Sequence, residues 1–250
     1  MSHVPRELRL ATALVEFSDT LLDEFDAERY LGRLADTCVD LLEARGAGVS
    51  LLEADGRPVP FAHSSERPHL VRSLLAASPT SGPAHDSLRT GKAVPPVVLT
   101  SEEAAVCWPT FTAVALRHGI TAAYAVPLRT REEVLGAVSI FKPEPPATEA
   151  ELAIAQSLAD AAALGLSHQR TYVQYRELTG QLQQALASRV QIEQAKGMLA
   201  ERWNTEPDTA FTALRQYARR NRLPLDQVSR AVTQRTLADG QLRPDTSGRA

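Results

Sequence analysis

The 250-residue sequence has only two cysteines, Cys38 and Cys107, too widely separated to read as a disulfide framework or a paired metal-ligand motif. Aromatic residues are 5% of the chain, and lysine is nearly absent, since 24 of the 27 basic residues are arginine. Arginine's GC-rich codons and abundant alanine point to a GC-rich bacterial genome. No run approaches the roughly 20 apolar residues that a membrane-spanning helix needs, and Met1 to Leu10 has no apolar segment of the secretory type. A protein that stays in the reducing cytoplasm, away from membranes, is expected. There is no G-x-S-x-G, H-E-x-x-H, P-loop or CxxC, so neither a catalytic constellation nor a cofactor is expected, and the chain reads as a non-enzyme. His63, His69, His85 and His118 are irregularly spaced, as surface histidines are, and no metal site is expected of them.

What is present suits a soluble globular chain: 44% hydrophobic residues and 23% charged. The length favours two domains. A net charge of −3 conceals an asymmetry, because residues 181–250 hold 11 Lys/Arg against 7 Asp/Glu, leaving the first 180 residues acidic. A basic C-terminal part suits a polyanionic partner.

Leu14, Phe17, Leu21 and Leu22, then Leu31, Leu34, Val39 and Leu42, recur at helical spacing, with a break expected over Asp23 to Asp26. Gly48 to Ala54 and Val59 to Ser64 read as strands joined by the Asp55-Gly56 turn. A helix over Glu66 to Ala77, a loop over Ser78 to Pro83 and a short helix ending at Gly91 follow. Val97 to Leu99 reads as a short strand, and Pro109 to His118 as a helix with Phe111, Val114 and Ala115 inward. Ala122 to Arg129 and Val134 to Phe141 form the longest strand pair, with Val134, Gly136, Val138 and Ile140 on one face. Hairpins with too few crossovers for a parallel sheet imply an α+β domain whose antiparallel sheet is flanked by helices.

Ser81-Gly82-Pro83, Thr90-Gly91, Trp108-Pro109, Pro127-Leu128 and Leu135-Gly136-Ala137-Val138 occur in an order and spacing that resembles the GAF sensor family, over about residues 10–165. Two departures stand out: Ala84 lies where relatives often carry cysteine, and Pro95-Pro96 replaces a more polar approach. The resemblance implies a sensor domain over residues 1–165, its first ten residues or so flexible, that holds a small-molecule ligand or dimerises. It designates no ligand-binding residues. Cys38 shares a face with core positions, whereas Cys107 beside Trp108 is the better redox candidate.

From Thr148 to Trp203 there is no proline and only three glycines, Gly165, Gly180 and Gly197, which predicts nearly continuous helix. Residues 148–188 are expected to connect two domains, and Leu158, Ala162 and Leu166, then Leu178, Leu182 and Ala185, supply partial seams for a parallel homodimeric coiled coil. The alternative is a helix packed on its own sheet and then a loose linker.

Ala185, Ile192, Leu199 and Trp203 fall on one side of a helix, and Arg189 and Lys196 share its margin. Thr205-Glu206-Pro207-Asp208 starts a second helix with Thr205 as its cap and with Ala210, Phe211, Leu214, Tyr217 and Ala218 inward. Pro224 opens a third, carrying Leu225, Val228, Ala231 and Val232. Arg189, Ile192, Glu193, Ala195, Lys196, Gly197, Ala210, Phe211, Leu214, Ala218, Asn221 and Val228 together closely resemble the ANTAR family, over about residues 180–235. The resemblance implies an all-α three-helix RNA-binding domain, residues 181–238, that binds stem-loops in nascent transcripts and prevents premature termination. Residues 239–250 are expected to be a disordered tail.

Stem-loops expose bases for stacking and hydrogen bonding while arginines neutralise flanking phosphates. The candidate RNA contacts are Arg189, Lys196, Gly197, Arg215, Arg219, Arg220, Asn221 and Arg222; solvated helix faces are the plain alternative. Trp203 and Tyr217 can stack on bases but sit at core spacing. The rival functions are a dimeric sensor that docks only proteins and a DNA-binding helix-turn-helix.

Overall fold

A computed structural model describes residues 5–18, 20, 25–78, 80–143 and 148–242. Leu21, Leu22 and the first half of the break expected at 23–26 lie outside them. The chain divides into two compact units, Met1–Tyr172 and Val173–Ala250.

The first unit is built on a five-stranded antiparallel sheet of order β2-β1-β5-β4-β3. Its strands are β1 (Gly46–Leu52), β2 (Pro58–His63), β3 (Val94–Val98), β4 (Ala122–Arg129) and β5 (Val134–Lys142). The β1–β2 hairpin turns at Asp55-Gly56, where Gly56 takes φ +81° and Arg57 bonds the carboxylates of Asp55 and Glu53. β3 starts earlier than its apolar residues suggest, because it takes in Pro95 and Pro96. Prolines lack the N–H of a strand ladder, and β3 is an edge strand; so is β2, with Pro58 and Pro60.

Strand alternation sends two sets of side chains to opposite faces. Val49, Tyr124, Val126, Leu128, Val138 and Ile140 pack with α1 (Arg6–Ser18), α2 (Ala27–Leu42) and the first turns of α7 (Glu149–Trp203). On the other face Ala123 and Phe141 meet Val71, Leu74, Leu75, Leu99, Trp108, Phe111 and Ile120. These come largely from α3 (Pro68–Ala76), α5 (Glu102–Cys107), α6 (Pro109–Arg117) and the turns around them, with α4 (Pro83–Thr90) alongside. α5 was not foreseen, although Ser101, whose hydroxyl accepts from the Ala104 N–H, followed by Glu102 and Glu103 is a legible helix start. Ordered helix begins at Arg6, inside the stretch expected to be flexible.

α7 begins with a reciprocal cap, in which the Thr148 hydroxyl accepts from the Glu151 N–H and the Thr148 N–H donates to Glu151 Oε2. Glu151 Oε1 also accepts from Lys142 Nζ at 2.7 Å, and that ammonium is nearly enclosed. Seventeen residues into α7, Gly165 is needed for close packing: an added Cβ would lie 2.3 Å from Tyr30 Oη and 2.4 Å from the Phe17 carbonyl oxygen. Tyr30 Oη donates to that carbonyl, and the Thr20 hydroxyl donates to the Gly165 carbonyl.

The second unit consists of the later part of α7 with α8 (Pro207–Asn221), α9 (Leu225–Thr233) and α10 (Asp239–Leu242). α7 runs through residue 203 without interruption, as the proline-free stretch from Thr148 to Trp203 predicts. Ala195, Leu199, Ala210, Leu214, Ala218, Val228, Val232 and Leu242 form the core, with Trp203 and Tyr217 half-buried against it. Ala185 is exposed and Ile192 half-buried, so the core face of α7 starts at Ala195, nearly three turns later than the apolar periodicity implies. α8 is preceded by Glu206, not Thr205, and no side chain caps it; Pro207 at its first position makes one amide donor unnecessary. Asp239–Leu242, expected to open a disordered tail, is a short helix, because Leu242 reaches the core and the Gln241 carbonyl accepts from Arg220. Residues 243–250 lie outside the described ones.

Candidate nucleic-acid interface and sensor cavity

The helical unit buries one side of α8 and leaves the other basic. Ala210, Ala213, Leu214 and Ala218 face inward, while Arg215, Arg219 and Arg222 are exposed. At about 100° per residue these three arginines lie within roughly 60° of each other, and Arg220 lies well round the helix. Arg222 closes α8 in the left-handed conformation at φ +54°, with its N–H bonded to the Arg219 carbonyl. That turn, followed by Pro224, separates α8 from α9 without a glycine.

The other candidates fall into two groups. Arg189 and Gly197 are exposed on α7, and nothing stands within 4 Å of where a Cβ on Gly197 would be. Among the described residues Gly197 therefore serves no close helix packing. Lys196, Arg220 and Asn221 instead have partners: Lys196 Nζ is 2.6 Å from Glu193, Arg220 stands over the Tyr217 ring and donates to Gln241, and the Asn221 amide donates to the Tyr217 carbonyl. Their side chains help brace the unit. Trp203 and Tyr217 take the core alternative.

In the sensor unit, a cavity of about 280 Å³ opens on the second face of the sheet. Ser50 of β1, Pro58 and Pro60 of β2, Ser78 beyond α3, and Ala84 and His85 of α4 line it. Its wall is rigid on one side: Ser87 donates to the Lys92 carbonyl, and Trp108 Nε1 donates to Asp86 at 2.9 Å. Ala84 presents a methyl group to this lining. No sequence reading designated these residues. The signal available was the run of small residues, Gly48, Ser50, Ala123, Ala125, Ala137 and Ser139, on one face of the strands, which leaves space that bulky neighbours would fill.

Cys38 is enclosed, and burial pushes its thiol up to about 12, which removes the thiolate needed for redox chemistry. Cys107 is exposed. Among the described residues, no group of three or more His, Cys, Asp or Glu could hold a metal ion, and no helix is long and apolar enough to cross a membrane.

Solved structures resemble the first unit in fold. The GAF domain of an Acinetobacter phosphoenolpyruvate-protein phosphotransferase is 13% identical with a TM-score of 0.50, covering 68% of this chain and 97% of that one. The phycoerythrobilin-bound GAF domain of a cyanobacterial phytochrome is 14% identical with the same TM-score, covering 68% and 98%. No curated protein matches the chain. An ANTAR domain model matches residues 180–232, and a GAF domain model matches residues 26–167. A GAF sensor followed by an ANTAR domain fits a regulator of antitermination in general, and two regulatory domains fit a protein that is not an enzyme. The chain belongs to the GAF domain family and carries an ANTAR domain after its GAF domain.

Proposed function

We propose that the chain is a cytoplasmic RNA-binding antitermination regulator: its GAF domain, over about residues 1–165, senses a small ligand, and its ANTAR domain, over about 181–238, binds stem-loops of nascent transcripts. The observation that carries the reading is the ANTAR match over 180–232 together with the exposed basic side of α8 inside it. Arg215, Arg219 and Arg222 are the main phosphate contacts, since none of them braces the core. Arg189, Lys196, Gly197, Arg220 and Asn221 border the same RNA. Lys196 must share its charge with Glu193, so its contribution is smaller.

A parallel homodimer through α7 belongs to this reading. Tyr175, Leu178, Leu182, Leu186 and Val190 are exposed at spacings of three or four, uncovered among the described residues. Fifteen residues over four turns give a period of about 3.75, slightly above the helical 3.6, so two copies would wind with a right-handed sense. Light scattering at micromolar concentration tests the dimer, and a monomer would remove it.

The RNA reading is tested with the full chain, by fluorescence anisotropy on a two-hairpin leader RNA and on duplex DNA of equal length. Preference for RNA and a steep loss of affinity with salt are expected. Arg215→Glu with Arg219→Glu should weaken binding by roughly tenfold or more with the circular dichroism spectrum unchanged. Unchanged RNA affinity in that variant refutes the surface. Salt-insensitive binding to protein alone would favour a sensor module that docks proteins.

A further inference from the structure

Away from the sensor cavity, a cleft of about 260 Å³ lies where α3 begins. Arg45, Glu66, Arg67, His69 and His118 line it. Three separate segments supply these side chains: Arg45 precedes β1, Arg67 and His69 flank the start of α3, and His118 ends α6. The Arg45 backbone N–H is fixed to the Phe141 carbonyl at 2.8 Å. Its side chain crosses toward α6, since Nη1 lies 4.0 Å from where a Cβ on Gly119 would stand.

The charge in this cleft is unbalanced. Arg45 Nε is buried and has no hydrogen-bond partner among the described residues. Among the described residues, neither Arg45 nor Arg67 takes part in an ion pair. Glu66 is the one acidic residue of the lining, and it is exposed. A buried N–H of a charged group without an acceptor is costly, and an anion supplies the acceptor. No side chain caps α3, whose first-turn amides add their positive end to the same place.

A larger space lies beside the cleft. His118 also borders a groove of about 560 Å³ between α3 and α6, lined by Ser73, Ala77, Thr110 and Val114. Its mixed polar and apolar walls suit an organic body better than a bare ion, and its size is that of small-molecule sites.

We propose that the cleft binds the phosphate of a small phosphate monoester, with the organic part lying along the α3–α6 groove. The two guanidinium groups provide planar forks that meet phosphate oxygens in pairs, and His69 and His118 add donors at the rim. The phosphate cleft shares no lining residue with the sensor cavity, which meets α3 at its opposite end through Leu75, Ala76 and Ser78; the groove touches that cavity at Ala76. It would give the sensor unit a second chemical input.

Calorimetric titration of the full chain with phenyl phosphate, inorganic phosphate and sulfate tests this, with hydrogen exchange locating the ligand. Phenyl phosphate is expected to bind more tightly than inorganic phosphate or sulfate and to slow exchange over residues 67–71 and 117–120. Arg45→Ala and Arg67→Ala should each weaken it roughly tenfold or more. Arg67 is exposed, so its replacement leaves the core untouched even if Arg45→Ala proves unstable. Equal binding of phenyl phosphate and inorganic phosphate would overturn the monoester. Unaltered affinity in Arg67→Ala, or protection confined to α8, would overturn the site.

Discussion

Residues 155–163 and 175–190 belong to one helix and live in opposite surroundings. Ala155, Leu158, Ala159, Ala162 and Ala163 are fully buried under the sheet, whereas Tyr175, Leu182 and Leu186 are 71%, 58% and 65% exposed. The first stretch is held by tertiary packing, whereas the large apolar side chains of the second are exposed, and helix propensity is weak in isolation. Helical sequence therefore says little about what secures a helix. Replacements made in matched pairs along α7 measure the difference directly.

The largest effect is expected from Gly165→Ala. The new Cβ would press on backbone and on Tyr30 Oη, which cannot both move, and unfolding stability should fall by about 3 kcal/mol or more in chemical denaturation. Leu158→Ala should cost about 2 to 4 kcal/mol by leaving a cavity under the sheet. Leu182→Ala should leave the sensor unit's unfolding unchanged and act only on the concentration dependence of the melting temperature. Equal costs for the two leucines would mean that residue 182 is covered within a single chain.

Glu151→Gln comes next, at about 2 kcal/mol, because it strips the enclosed Lys142 of its counter-charge and weakens the α7 cap. Burial acts to raise the Glu151 carboxyl, but the hydrogen bonds from Lys142 and the Thr148 amide outweigh it and hold the group below its ordinary 4.5. A carboxylate lowered on folding stabilises above its unfolded value, and that contribution fades as pH falls through the folded one. The gap between wild type and Glu151→Gln should thus be full above pH 4.5 and close in stronger acid; a gap constant with pH would assign the cost to packing. The smallest effect is Gly180→Ala, where a Cβ meets nothing within 4 Å, so helix propensity alone should stabilise by about 0.5 to 1 kcal/mol.

Much of the architecture was legible because its signals are local. The Asp55-Gly56 hairpin, the Pro109 helix and the β4–β5 pair all announce themselves within a few residues. The long proline-free stretch likewise announces α7. What escaped depends on distant partners. Leu242 reads as part of a polar tail until α8 provides a surface for it, and Ala185 reads as core although the helical unit packs only from Ala195 onward. The basic residues were readable as a set, yet which of them are free for a ligand was not. Arg220 is set apart from Arg215 and Arg219 by the Gln241 carbonyl that folding brings beside it, whereas Lys196 and Asn221 find partners one turn away, at Glu193 and Tyr217. The cavity was harder still, because a void leaves no residue of its own in the sequence.

The prolines at the two rims of the sheet have a consequence for assembly. Pro58 and Pro60 on one side, and Pro95 and Pro96 on the other, interrupt the rows of amide donors that an incoming strand would need. Growth of the sheet across neighbouring molecules is thereby discouraged at both ends. Whatever brings copies of this chain together is left to its helices.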